Sequence, residues 1–164
     1  MEKKMFKLIT LFSVLINFST FADVRESLTS AQKEEVVNVL KANEKLHASF
    51  FKYDAKSVAD SAQELKNAMN KVSHEKIKKL LKFSMTKLDE IKANKTKDEN
   101  GQNYHTISMA LIYILNTYDV GSEYNAYSCP MVKKKWVQNS SKQEKVHNPY
   151  AANMPHCGSK DTSF

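Results

Sequence analysis

The chain is 164 residues long, carries 25 Lys+Arg against 18 Asp+Glu for a formal charge of +7 at pH 7, and is 41% hydrophobic. That length suits a single domain able to bury one real core. The basic excess is mild and spread along the chain, and with no nucleic-acid motif beside it the charge argues against a nucleic-acid binder.

The first stretch reads as an export signal. Lys3, Lys4 and Lys7 precede an apolar run from Leu8 to Phe18, and Thr20 and Ala22 occupy the small-residue positions before a cut, so cleavage is expected after Ala22. The run is too short and too interrupted for an anchor, which needs about 20 apolar residues. No cysteine precedes Cys129, so no lipid-modified terminus is expected. The mature chain is expected in the periplasm, without a stable membrane anchor.

Few glycines and prolines, three of each, point to helices joined by short polar loops. Over residues 30–51, Val36, Val39, Leu40, Leu46 and Phe50 recur at helical spacing, with Ser30 as the cap. Over 55–72, Val58, Ala62, Leu65, Met69 and Val72 form a narrow seam behind an Asp54 cap. Over 74–93, Ile77, Leu81, Leu88 and Ile91 share a face opposite a lysine-rich one, with Ser73 as cap and Glu75 suited to the positive helix end. Residues 94–103 are polar and contain Asn100-Gly101, which predicts a loop. A fourth helix is expected over 104–118, with Tyr104, Ile107, Leu111, Leu115 and Tyr118 inward and Gly121 ending it. The expected fold is all-α: an antiparallel four-helix bundle over residues 23–121. Residues 122–164 show no sustained period, yet Tyr124, Tyr127, Trp136 and Tyr150 are too much aromatic surface for a disordered tail. They are expected to form an irregular C-terminal arm packed on the bundle within the same domain.

That arm carries the residues with chemistry. Cys129-Pro130-Met131 pairs a thiol with a thioether, and Pro130 biases Cys129 toward extended chain, in which residues two apart project together. Met154 and Cys157 are three apart, as on one helical turn. Soft thiolate and thioether ligands select Cu(I) or Ag(I), and imidazole from His147 or His156 would complete the site. Zinc prefers thiolate and imidazole without thioether. The alternative is a Cys129–Cys157 disulfide, with Met131 and Met154 as ordinary packing residues and no metal. Both readings stay open at this stage.

The run Tyr127-Ser128-Cys129-Pro130-Met131, then Trp136, Asn148-Pro149-Tyr150, Met154 and Cys157-Gly158, resembles the bacterial periplasmic family called domain of unknown function 3347. That family occurs alone or fused to heavy-metal-associated domains and to membrane-fusion subunits of metal efflux pumps. The sequence departs from its pattern at Ala151-Ala152 and Pro155-His156. The resemblance implies an exported helical bundle with a copper-related sulfur site formed by Cys129, Met131, Met154 and Cys157, and a metal efflux component as partner.

Other residues are read as structural. His47 and His105 fall inside helical segments, His74 in a first turn, and Met69, Met85 and Met109 at packing positions. Lys133-Lys134-Lys135 reads as a solvated loop. No catalytic triad, phosphate-binding glycine loop, haem attachment motif or spaced carboxylate pair occurs, so no enzymatic activity is expected. The leading expectation is Cu(I) sequestration or delivery to efflux, with a disulfide-stapled protein-interaction module as the rival.

Overall fold

Side chains that accept hydrogen bonds from the orphan N–H groups of a first helical turn decide where each helix starts. The computed structural model describes residues 25–121 and 123–164, so the expected leader, residues 1–22, lies outside the described residues. Four helices follow the apolar periodicity: α1 (Ser30–Phe51), α2 (Ala55–Met69), α3 (Glu75–Asp89) and α4 (Lys97–Thr117). Thr29 and Gln32 form a reciprocal capping box at α1, and Asp54 accepts from the Ser57 amide at 2.7 Å to start α2. The expected cap Ser30 is thus replaced by its neighbour. Ser73 is replaced by His74, whose Nδ1 accepts from the Ile77 amide, because Ser73 donates its own amide and hydroxyl to Glu35 on α1.

The expected loop at 94–103 is mostly helix. Thr96 and Glu99 make a second capping box, which starts α4 at Lys97 and draws Asn100-Gly101 into its first turns. Asn100 is buried, and its amide closes the α3–α4 joint. Its Oδ1 accepts from the Lys92 amide at 3.0 Å, while its Nδ2 donates to the Lys92 carbonyl at 2.9 Å and the Tyr53 hydroxyl at 2.8 Å.

The all-α expectation is corrected to four helices with two small sheets. Strands β1 (Glu26–Ser27) and β2 (Tyr118–Asp119) pair in parallel, tying the start of the described chain to the end of α4. In the arm, β3 (Tyr124–Cys129) lies between β4 (Lys134–Asn139) and β5 (Ser159–Lys160), antiparallel to both. These strands escape a periodicity search because Tyr124 to Tyr127 and Trp136 to Asn139 are each buried in unbroken succession. The alternation that reveals a half-exposed strand is therefore missing. Successive helices pack on one another, and the β3–β4 ribbon lies against α4 and α1. The main core includes Leu46, Phe50, Leu65, Ile77, Ile107 and Leu111, and a smaller cluster gathers Tyr127, Cys129 and Trp136. Among the described residues no helix is long and apolar enough to cross a membrane.

Asn100→Ala strips three hydrogen bonds from a buried joint and leaves the Lys92 amide unsatisfied, a loss of about 2 to 3 kcal/mol. Urea denaturation measures it, and a change under about 0.5 kcal/mol would contradict the role given to this side chain.

Candidate metal centre

The arm brings its two cysteines together through a hairpin, a knotted loop and one glycine. β3 ends at Cys129, and the hairpin loop 130–133 opens with Pro130, whose fixed φ suits the second position of a turn. Lys133 closes it in the left-handed region at φ 51°. After β4 the chain returns under the control of two buried amides. Gln138 accepts from the Trp136 indole and the His147 amide, and donates to the carbonyls of Gln143 and Lys145. Asn148 donates its backbone N–H to the Pro155 carbonyl at 2.8 Å and its Nδ2 to the Cys157 carbonyl at 2.9 Å, while its Oδ1 accepts from the Tyr150 amide. Gly158 then adopts φ 143°, and a Cβ there would lie 2.6 Å from the Ser128 carbonyl oxygen and 2.8 Å from the Trp136 ring. Only glycine lets β5 settle on β3 at that point. The result is a Cys129 Sγ to Cys157 Sγ distance of 2.7 Å.

The two sulfurs differ. Cys129 is 1% exposed and Cys157 is half-buried. Burial pushes the Cys129 thiol up, but hydrogen bonds from the Cys157 thiol, the Val132 and Met131 amides and the Asn148 side chain outweigh it and bring its pKa below the ordinary value. Cys157 is raised, chiefly by its hydrogen bond to Cys129 and then by burial. The two thiols therefore titrate as a pair, each setting the other's acidity.

The remaining candidate ligands are distributed unevenly. Cys129 and Met131 do not point together, contrary to expectation: the turn begins at Pro130, so the chain is no longer extended at Met131, whose side chain is 70% exposed while Cys129 is buried. Met154 and Cys157 do share one tight turn, closed by the Cys157 amide donating to the Met154 carbonyl at 3.0 Å, and the Met154 side chain reaches the surface. His156 Nδ1 is engaged with the Val146 carbonyl at 2.7 Å. His147 turns to α1, where its Nδ1 and His47 Nε2 are 3.3 Å apart with the ring planes nearly parallel. Burial pushes His47 down to about 3, with the nearby His147 adding to the effect, so this pair is a neutral hydrogen-bonded contact of the core. Among the described residues no three His, Cys, Asp or Glu side chains converge as a metal-holding group. A soft site here would rest on the two thiols and the thioethers of the same two turns.

Sequence reasoning gave no role to Gln138 or to the Gly158 backbone, which no local pattern signals. The lysine tract lines a shallow basin beside Cys129 and Pro130. Lys135 pairs with Asp161, and Lys134 sits over the Tyr150 ring, so only part of the tract is a solvated loop.

No family model, curated protein or solved structure matches the chain. The assignment of function rests on the geometry of the arm.

Exposure governs access to these sulfurs. In reduced protein, Cys157 of a Cys129→Ser variant is expected to react with a disulfide reagent at least about tenfold faster than Cys129 of a Cys157→Ser variant. Equal rates in a colorimetric thiol assay would contradict the burial described.

Proposed function

We propose that this chain is an exported soft-metal binding protein that holds Cu(I) or Ag(I) through Cys129 and Cys157, with Met131 and Met154 as accessory thioethers. The observation that carries it is the meeting of two cysteines 28 positions apart, each on a turn that also bears a methionine. Thiolate and thioether sulfur favour monovalent copper and silver over hard cations. The hydrogen bonds that favour a thiolate at this pair support metal capture, because a ligand must shed its proton. Met131 is exposed on a flexible, unbranched side chain and is free to swing toward the thiols. In this reading the scaffold is an antiparallel four-helix bundle of the family resembled, the location is the periplasm, and the task is sequestration or transfer to an efflux component. His156, whose Nδ1 is held by the Val146 carbonyl, and His147, whose Nδ1 meets His47, would each complete the site through Nε2.

The same contact supports a second reading. The two sulfurs are adjacent and nothing separates them. That adjacency suits a disulfide as well as a shared metal ion. Closing that loop would stabilise the fold by roughly 3 to 4 kcal/mol on the chain-entropy model, giving a stapled interaction module without metal. The two states exclude one another at the same sulfurs, so oxidation would switch metal binding off.

Anaerobic titration of the reduced protein against a coloured Cu(I) chelator separates the readings. Tight uptake of about one equivalent, abolished in Cys129→Ser/Cys157→Ser and weakened about tenfold or more in Met131→Ala/Met154→Ala, is the expected outcome. Failure of the reduced protein to compete for Cu(I) would overturn the metal proposal and leave the stapled module.

A further inference from the structure

The face shared by α3 and the second half of α4 is a surface the metal proposal does not use. From Lys76 to Leu88, α3 carries five lysines and no acidic residue, and α4 carries no Asp, Glu, Lys or Arg from Gly101 to its end at Thr117. Lys76 pairs with Glu26 and Lys87 with Glu90, but among the described residues Lys78, Lys79 and Lys82 make no ion pair. Apolar side chains protrude within this field. Phe83 is 60% exposed and Tyr113 is 55% exposed. Tyr113 and Leu80 line one shallow groove with Lys76, Lys79 and Glu26, the acid that neutralises Lys76, so α3 and α4 meet there. Phe83 follows Leu80 by three residues and Lys79 by four, on the same side of α3. Met109 lies one turn before Tyr113 and is also exposed. The Lys87 ammonium stands over the Phe83 ring, 5.5 Å from its centre.

We infer that this α3–α4 face docks on the surface of an anionic lipid bilayer, with Phe83 and Tyr113 inserted at the headgroup level and Lys79 and Lys82 on the phosphates. Three features favour a bilayer over an acidic peptide. The apolar groups are exposed at the crest of two neighbouring helices, and the groove beside them is shallow, whereas a peptide helix seats in a deep one. The aromatic residues are amphipathic or adjacent to a lysine, the combination suited to a membrane–water boundary. Long lysine stems can lie along apolar surface while their ammonium groups reach headgroups. The contact is peripheral and reversible, since no element is buried across the bilayer, and it uses none of the sulfur-bearing residues.

Vesicle co-sedimentation tests the inference with the chain from Asp23 onward, which carries every described element and lacks the apolar leader that would bind lipid by itself. Binding is expected to vesicles containing phosphatidylglycerol and not to pure phosphatidylcholine, and to weaken as salt rises. Lys79→Gln/Lys82→Gln should lower the partition about fivefold per lysine, and Phe83→Ser/Tyr113→Ser about tenfold or more. Unchanged circular dichroism and thermal midpoint identify these as surface effects, and Lys41→Gln on α1 serves as a control that should leave partition nearly unchanged. No binding to anionic vesicles, or binding insensitive to both double variants, overturns the proposal. So does a face that captures an acidic amphipathic peptide in a fluorescence titration but ignores vesicles.

Discussion

A buried carboxamide, Asn148, holds the C-terminal arm in the one shape that lets its sulfurs meet. It uses its backbone N–H and both side-chain atoms to tie residues 148 to 157 into a loop, and its Nδ2 bond to the Cys157 carbonyl fixes where that cysteine stands. The loop has no regular structure to satisfy its polar backbone, so this work falls to side chains. Gln138 does the same for the preceding return, joining the Trp136 indole to the His147 amide. Gly158 supplies the remaining freedom, because the chain must pass between the Ser128 carbonyl and the Trp136 ring with no room for a Cβ.

The helices supply the surface on which that knot rests. Tyr150 reaches from the loop to α4 and β4, its ring tilted against Tyr104 and edge-on to Trp136, with its hydroxyl on the Lys135 carbonyl. His147 closes the other side against His47 and Phe51 of α1. Tyr124 at the start of β3 bonds to Glu44, which also receives Lys142. The arm is thus fastened on both sides of the β3–β4 ribbon, and the sulfur pair lies at the ribbon's far end beside the lysine basin. This arrangement makes the thiols unequal: Cys129 is walled in by Tyr127, Trp136, Val132 and Val146, and Cys157 remains within reach of solvent. An incoming reagent or metal would therefore meet the outer sulfur, Cys157, first.

Much of the helical scaffold was legible in the sequence, because Val58, Ala62, Leu65 and Met69, or Ile77, Leu81 and Leu88, carry a 3.6-residue period that only a helix satisfies. Errors arose where a local rule met a tertiary one. Asn100-Gly101 has the composition of a turn, but a capping box four residues upstream and a buried role for the Asn100 amide put it in a helix. The strands of the arm were hidden because both of their faces are covered. In the site, the convergence of Cys129 and Cys157 was foreseen as a requirement, whereas the direction of Met131 was misjudged. Pro130 acts there as the opening residue of a hairpin loop and not as part of an extended run, a distinction that depends on β4 returning to pair with β3. His147 was offered with His156 as an imidazole to complete the site, and its contact with His47, 100 residues away, is one that no local pattern signals.

The most direct test of the arm's closure is the state of its sulfurs after mild oxidation of the purified protein, read by intact mass and by mapping of disulfide-linked peptides. The account predicts complete loss of two hydrogens from each chain and one intramolecular link joining the peptides of Cys129 and Cys157, independent of protein concentration. Two free thiols, or cross-linked dimers that increase with concentration, would contradict the claim that this loop brings the pair together.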